Sequence, residues 1–447
     1  MIVVGGGSVG PEIVARFIEL AGGPDALIID VPTAGGDSTY AANWRGTNFL
    51  KAGGARNVRV LHTTDKKVAD SDQFAKLLAH AGGVWFEGGR QWHLVDSYAG
   101  TKTEHGFHDV LARGGVVGGS SAGASILSSY MLRGARSGNE IVMAPGYEEG
   151  FGFLRGVAID QHVIARERLA DLADSLMPRR PDLLGISEDE GTAWVIRGDV
   201  AEIVGRNKAF VYGGKDATDA RKPFLTLYPG DRYDMSARRV VHRATDDSPV
   251  SRAFVDSLFA GVSGKATVLV AQGGKVFIDQ AYGIPDNARY MPATTVPNFI
   301  LGALSAPIEA LVTQLAPPTD KQGYAQRINR FIGTPVGWHK TVADSNRMVS
   351  SNVDELYRLA LGLENNRTFA SDTSQAGTKT DYSMGWSADT FRGVARLSAY
   401  GAPNGKRNAF VRIPERRATI IILTDRDDAD ARGIADRIAE RLVSSSH

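Results

Sequence analysis

Short apolar, β-branched runs recur along the first half of the chain, separated by stretches with helical spacing. Ile2–Val4, Ala26–Asp30, Val58–His62, Val84–Phe86, Val116–Gly118, Val157–Asp160, Ala193–Ile196 and Glu202–Val204 read as strands. Pro11–Ala21, Ser71–Ala81 and His105–Ala112 read as helices between them. This alternation predicts a doubly wound α/β fold: a mostly parallel sheet, helices on both faces, and chemistry at the C-terminal strand ends. Residues 215–245 turn polar and β-like and end in Asp246-Asp247-Ser248-Pro249, which separates a domain over 1–245 from a smaller one over 250–447. In the second half, Ala266–Gln272 and Lys275–Ile278 flank Gly273-Gly274 as a β-hairpin. A helix-like stretch follows at Phe299–Leu315, then a strand at Thr419–Thr424 and an amphipathic closing helix at Ala429–Leu442. That order reads as α+β.

Composition narrows the function. The chain is 43% hydrophobic and 23% charged, with a formal net charge of +1. No global field draws in nucleic acid or an anionic membrane, so neither is expected as a partner. No apolar run reaches the length of a membrane-spanning helix. Cysteine is absent, which excludes disulfides, thiolate metal sites and a cysteine nucleophile. The chain opens on a strand-like Met1–Gly7 rather than a leader. Cytoplasm, and export after a signal peptide is trimmed, are both compatible with that.

Candidate chemistry gathers at strand ends. Val116-Val117 runs into Gly118-Gly119-Ser120-Ser121-Ala122-Gly123-Ala124, and Ala124–Tyr130 reads as a helix. Small residues permit the sharp strand-to-helix turn of a nucleophile elbow, which exposes the Ser121 hydroxyl. The amide that follows then lies at a helix N-terminus, suited to an oxyanion. A glycine-rich turn with capping serines is the plainer alternative. Asp160-Gln161-His162 closes a strand in the same half, and His162 is the kind of base such a serine needs. Arg166 and Arg168 follow, either beside the site or on a solvated helix face. An acid that orients the imidazole is offered by Glu188, Asp189 and Glu190, and spacing leaves all three open. In Phe86-Glu87-Gly88-Gly89-Arg90-Gln91, two glycines leave amides free to face an oxyanion, and Gln91 is placed to meet substrate. Gly5-Gly6-Gly7-Ser8-Val9-Gly10, with Asp30 closing the next strand, also fits a dinucleotide fingerprint.

Together these pieces resemble the cyanophycinase-like serine peptidases, relatives of dipeptidase E, over residues 1–215. Gly119–Ala124 resembles the group's G-T-S-A-G-A, and Asp160-Gln161-His162 its D-Q-H. Asp189–Ala193 resembles D-E-x-T-A, and Phe86–Gln91 resembles F-T-G-G-x-Q. Gly5–Gly7 and Pro32-Thr33-Ala34 fit as well, which removes the need for a nucleotide. The resemblance implies the sandwich fold of class I glutamine amidotransferases and a Ser121–His162–Glu190 triad. It implies an oxyanion hole from the Gly89 and Ala122 amides, and substrate contacts from Gln91, Asp160, Gln161, Arg166 and Arg168. It implies no metal or organic cofactor, a homodimer, and a peptide substrate such as cyanophycin. The chain departs from the pattern at Asp171, where a third arginine is expected, at Arg90 for Asp or Asn, and at Glu87 for Thr. These changes alter charge beside the pocket, so another β-aspartyl or acidic peptide fits as well as cyanophycin.

The second half resembles the serine β-lactamase and penicillin-binding-protein fold at Val268–Gly283, Pro335–Trp338, Tyr382–Trp386 and Arg412–Thr424. Ala303 and Ala306 stand where that fold needs Ser and Lys, and Ala399-Tyr400-Gly401 lacks the basic residue of its late strand. The resemblance therefore implies a degenerate, non-catalytic module. It also motivates the alternative to peptidase activity, a protein that binds peptides or cell-wall fragments with little catalysis.

Overall fold

The apolar runs of the first half become two sheets. The computed structural model describes residues 1–215, 222–261, 264–284, 290–295, 298–364, 385–401, 408–425 and 429–444. These fall into two compact units, Met1–His242 and Arg243–His447. Residues 382–384 of the Tyr382–Trp386 segment lie outside the described residues.

In the first unit, β1 (Ile2–Val4), β2 (Ile28–Val31), β3 (Val58–Val60), β4 (Gly83–Phe86) and β5 (Val116–Ser120) run parallel in the order β1-β5-β4-β2-β3. β6 (Ser128–Met131), β7 (Leu154–Gln161) and β8 (Leu184–Glu188) form a parallel trio in a separate sheet. β9 (Thr192–Arg197) and β10 (Val200–Gly205) return antiparallel beside β1. β11 (Ala209–Tyr212) and β12 (Leu225–Leu227) extend the second sheet beyond β8, and β13 (Arg232–Asp234) and β14 (Arg239–His242) complete the first. The parallel strands read as continuous apolar runs because both faces are covered. On β1, Val3 joins the core shared with Ile159 and Ile186 of the second sheet. Ile2 and Val4 face the opposite layer, with Ile13, Val14 and Phe17 of α1 (Pro11–Leu20).

The helices after α1 include α2 (Asn48–Ala52), α3 (Lys66–Ala69), α4 (Asp72–Ala75), α5 (Gln91–Tyr98), α6 (Lys102–Ala112) and α7 (Ala122–Ser125). The helix expected at Ala124–Tyr130 stops early. Ser128 Oγ caps Ser125 O at 2.7 Å, and Tyr130 and Met131 pair with Ala158 and Ile159 of β7. Sheet pairing overrides local spacing there.

The second unit is α+β. Ala266–Gln272 and Lys275–Tyr282 form the expected hairpin, and an antiparallel sheet continues through Ala418–Thr424, Ala409–Ile413, Val394–Tyr400 and Ser387–Phe391. Helices Arg252–Phe259 and Ala431–Ser444 share a core with Val268, Val270, Ile420 and Ile422, and Ala244 and Val250 are buried in it too. The helix expected over Phe299–Leu315 is instead a short strand, a 3₁₀ turn at Gly302–Ser305 and a helix at Ala306–Leu315. Gly302 has φ +57° and breaks the run, while Pro307 fits the first helical turn. Leu442 is fully buried in the terminal helix. Leu442→Ala is expected to destabilise this unit by about 2–5 kcal/mol in urea unfolding, through lost burial plus a cavity.

Candidate active site

The C-terminal ends of three neighbouring parallel strands, β1, β5 and β4, lie side by side. β5 delivers Ser121 at φ +56°, ψ −115°, directly before α7. A non-glycine residue there is strained by roughly 1–3 kcal/mol, as expected of an elbow that exposes a side chain. Glycines make the turn possible: a Cβ on Gly119 would strike Gly123 O, and one on Gly123 would strike Phe86 O.

The second sheet supplies the partners. β7 and β8 are parallel neighbours, with Gln161 opposite Glu188. His162 follows β7 and Glu190 follows β8 by two residues. His162 Nε2 lies 2.8 Å from Ser121 Oγ, and His162 Nδ1 lies 2.6 Å from Glu190 Oε1. With the ring proton on Nδ1, the imidazole donates to Glu190 and accepts from the serine, the arrangement of a general base. His162 is buried, with φ +59°.

The glycine run after β1 joins these two sets. His162 N donates to Gly5 O at 3.0 Å, Gly191 N to Gly6 O at 3.0 Å, and Gly5 N to Thr192 O at 3.0 Å. Gly6 has φ +97°, and a Cβ there would overlap the His162 ring. Gly7 has φ +64°, and its Cβ would lie 2.5 Å from Glu190 Oε2. The space that a dinucleotide fingerprint keeps for a pyrophosphate is filled here by an imidazole and a carboxylate.

Three acids that spacing left open separate by position. Glu188 is fully buried, and burial raises its pKa well above the usual carboxylate range. Asp189 Oδ1 accepts from Ile164 N at 3.0 Å and Ala165 N at 2.8 Å, and its Oδ2 accepts from Asn207 Nδ2. Asp189 thus fixes the turn that follows His162, and Glu190 is the acid on the imidazole.

The loop after β4 lies against the serine. A Cβ on Gly88 would sit 3.4 Å from Ser121 Cβ and 3.9 Å from its Oγ. Gly89 has φ +145° and packs against Ala34 O, which also accepts Arg90 N at 2.7 Å. Among the described residues, neither the Gly89 nor the Ala122 amide donates to a loop or turn carbonyl.

The expected substrate contacts divide. Arg166 is exposed. Arg168 is buried, with Nη2 2.9 Å from Glu140 Oε1. Glu167, at φ +53°, sits between them, so the two arginines share no helix face. Asp160 is a correction: it is 0% exposed, and both oxygens are held at 2.7 Å by Arg133, so no oxygen is open to a substrate. Arg133 also reaches Asp171 Oδ2 at 2.9 Å. Gln161 is buried and donates to Ser125 Oγ at 2.9 Å, tying β7 to the nucleophile helix. Gln91 is buried and donates to Leu132 O at 2.5 Å. Sequence reasoning missed Arg133 and Ser125. The one available signal for Arg133 is a charge that ends the apolar run Tyr130-Met131-Leu132.

Residues 1–204 match the sequence profile of peptidase family S51. That match lies within the N-terminal unit, and the protein is a serine-type peptidase. The chain is similar to a cyanophycinase of Geminocystis herdmanii, 29% identical over 221 residues, covering 48% of this chain and 80% of the relative. It is similar to a cyanophycinase of Trichormus variabilis, 28% identical over 271 residues, covering 54% of this chain and 89% of that relative. Among solved structures it is similar to a peptidase from an acI-B1 Actinobacterium, with TM-score 0.41, 24% identity, and 52% and 95% of the two chains covered. It is also similar to a β-lactamase from Mycobacterium bovis, with TM-score 0.32, 13% identity, and 42% and 99% covered.

Two variants test the geometry. Gly6→Ala is expected to lower kcat at least about 100-fold, because a displacement near 1 Å of a reacting group has that cost; wild-type turnover would contradict the packing described. Asp160→Ala leaves Arg133 without its main partner in the interior. It is expected to destabilise the first unit by about 3–5 kcal/mol in chemical unfolding.

Proposed function

We propose that this peptidase hydrolyses β-aspartyl or other acidic peptides, cyanophycin among them, through Ser121, His162 and Glu190. The observation that carries this reading is the continuous hydrogen-bonded chain from Ser121 Oγ through the imidazole to Glu190. The similarity to cyanophycinases supports the substrate class.

In the proposed mechanism, His162 Nε2 takes the Ser121 proton as Oγ attacks the scissile carbonyl. The Gly89 and Ala122 amides stabilise the resulting oxyanion. Glu190 holds the tautomer and steadies the imidazolium. Collapse expels the amine, which takes the proton from His162, and leaves an ester on Ser121. Water, deprotonated by His162, then attacks the ester and releases the acid. Arg166 faces solvent and is suited to a substrate carboxylate, with Arg168 behind it. The second unit takes no part in the chemistry: Ala303 and Ala306 lie in and just after the Gly302–Ser305 turn, without hydroxyl or amine.

The test is mass spectrometry of products from cyanophycin and from a panel of β-aspartyl dipeptides. Ser121→Ala is expected to lower kcat/KM at least about 1,000-fold, and Glu190→Gln roughly 100-fold or more through the wrong imidazole tautomer. Turnover unchanged in Ser121→Ala would sink the assignment.

A further inference from the structure

We infer that the Asp30–Glu87 carboxyl pair is a positioning element of the oxyanion loop, working through a proton the two acids share. This rests on the reading of Gly89 as an oxyanion donor. Asp30 pairs with Trp85 in the register of β2 and β4, and Glu87 follows Trp85 by two residues, so both acids lie on one face of the sheet. Glu87 N donates to Val31 O at 3.1 Å, which anchors the loop to β2 immediately before Gly88.

Asp30 is fully buried. Asp30 Oδ1 and Oδ2 and Glu87 Oε1 are shielded from water and have no hydrogen-bond donor among the described residues. Two neighbouring carboxylates with no donor between them are not both charged; one shared proton turns repulsion into a hydrogen bond. Burial, then the Glu87 charge, holds the Asp30 carboxyl well above the ordinary range, while burial pushes Glu87 up to about 7. Lys51 of α2 acts on Asp30 in the opposite sense. Tyr40 lies near Asp30 across the following loop, with Asp37 beside it and the His62 ring 4.7 Å from its own. On the other side, the Glu87 carboxyl adjoins the Gly88 amide.

With both acids protonated the pair is neutral, and it pins the start of the loop between β2 and β4. As pH rises through about 7, Glu87 loses its proton to solvent while Asp30 keeps its own and shares it across the pair, which then carries one negative charge. A new negative charge then stands one residue from Gly88-Gly89, where the transition state also develops negative charge. Catalysis weakens as a result, and substrate binding at the arginines is left nearly alone.

The experiment follows kcat and KM for a β-aspartyl dipeptide against pH, alongside the pH dependence of unfolding. In wild type, kcat is expected to fall about tenfold or more between about pH 6.5 and about pH 9, with KM moving less than about twofold. In Glu87→Gln, which keeps a donor and cannot ionise, the ratio of those two kcat values is expected to stay near one. Asp30→Asn serves as the second variant and is expected to flatten the same limb. A pair whose folded pKa is raised binds protons that the unfolded chain releases, so it favours folding most at acidic pH. That contribution is lost as pH rises from the unfolded carboxylate range through about 7. Either variant should therefore remove part of the stability decline over that window. A flat wild-type profile, or an alkaline fall retained in both variants, overturns the proposal. Should Ser121→Ala keep activity, the proposed triad fails on its own, and the unfolding measurement still reads the pair.

Discussion

The site depends on how closely two sheets approach at the end of β1. Ser121 comes from one sheet, and His162 and Glu190 come from the other. Only a backbone without side chains fits between them. Gly5 and Gly6 carbonyls accept the His162 and Gly191 amides, so the loop that makes room for the base and acid also fixes their height over the serine. Steric fit and hydrogen bonding both act through this one glycine run. A side chain at Gly6 displaces the imidazole and one at Gly7 the carboxylate, which is why a single methyl is a severe change.

Strain accumulates around this seam and is balanced by the layers beneath it. Ser121 and His162 both have positive φ, and each such residue costs roughly 1–3 kcal/mol. The Val3, Ile159 and Ile186 core on one face and the α1 layer on the other hold the strands from both sides. Gln161 adds a direct tie from β7 to Ser125 of the nucleophile helix. The chemistry is thus carried by loops, and their positions are set by rigid strand ends.

What could be read in the sequence follows from this layout. Strands buried on both faces announce themselves as apolar runs, and the elbow announces itself by its small residues. The helix at Ala124–Tyr130 failed because pairing with β7 decides that segment, and nothing local records the pairing. Glu188, Asp189 and Glu190 are adjacent in sequence but occupy a buried strand end, a turn cap and the imidazole partner; spacing does not carry that difference. Gly5–Gly10 matched a phosphate-binding pattern because both tasks need glycine for close approach, to a pyrophosphate in one case and to His162 in the other. Asp160 read as a substrate contact because its partner, Arg133, lies 27 residues away along the chain.

The same layout bears on substrate charge. Arg133 is neutralised within the protein by Asp160 and Asp171, and Arg168 is paired with the largely exposed Glu140. Asp171, standing where the resemblance expects an arginine, therefore removes one cation and also engages a second. Among the described residues no carboxylate is paired with Arg166, which keeps its guanidinium in solvent. On the proposed reading, recognition of a substrate carboxylate falls mainly to this one exposed cation, with Arg168 released to assist only if Glu140 yields. On that same proposed reading, one exposed arginine gains little from a second substrate carboxylate. That favours short β-aspartyl peptides over a polymer presenting many charges at once.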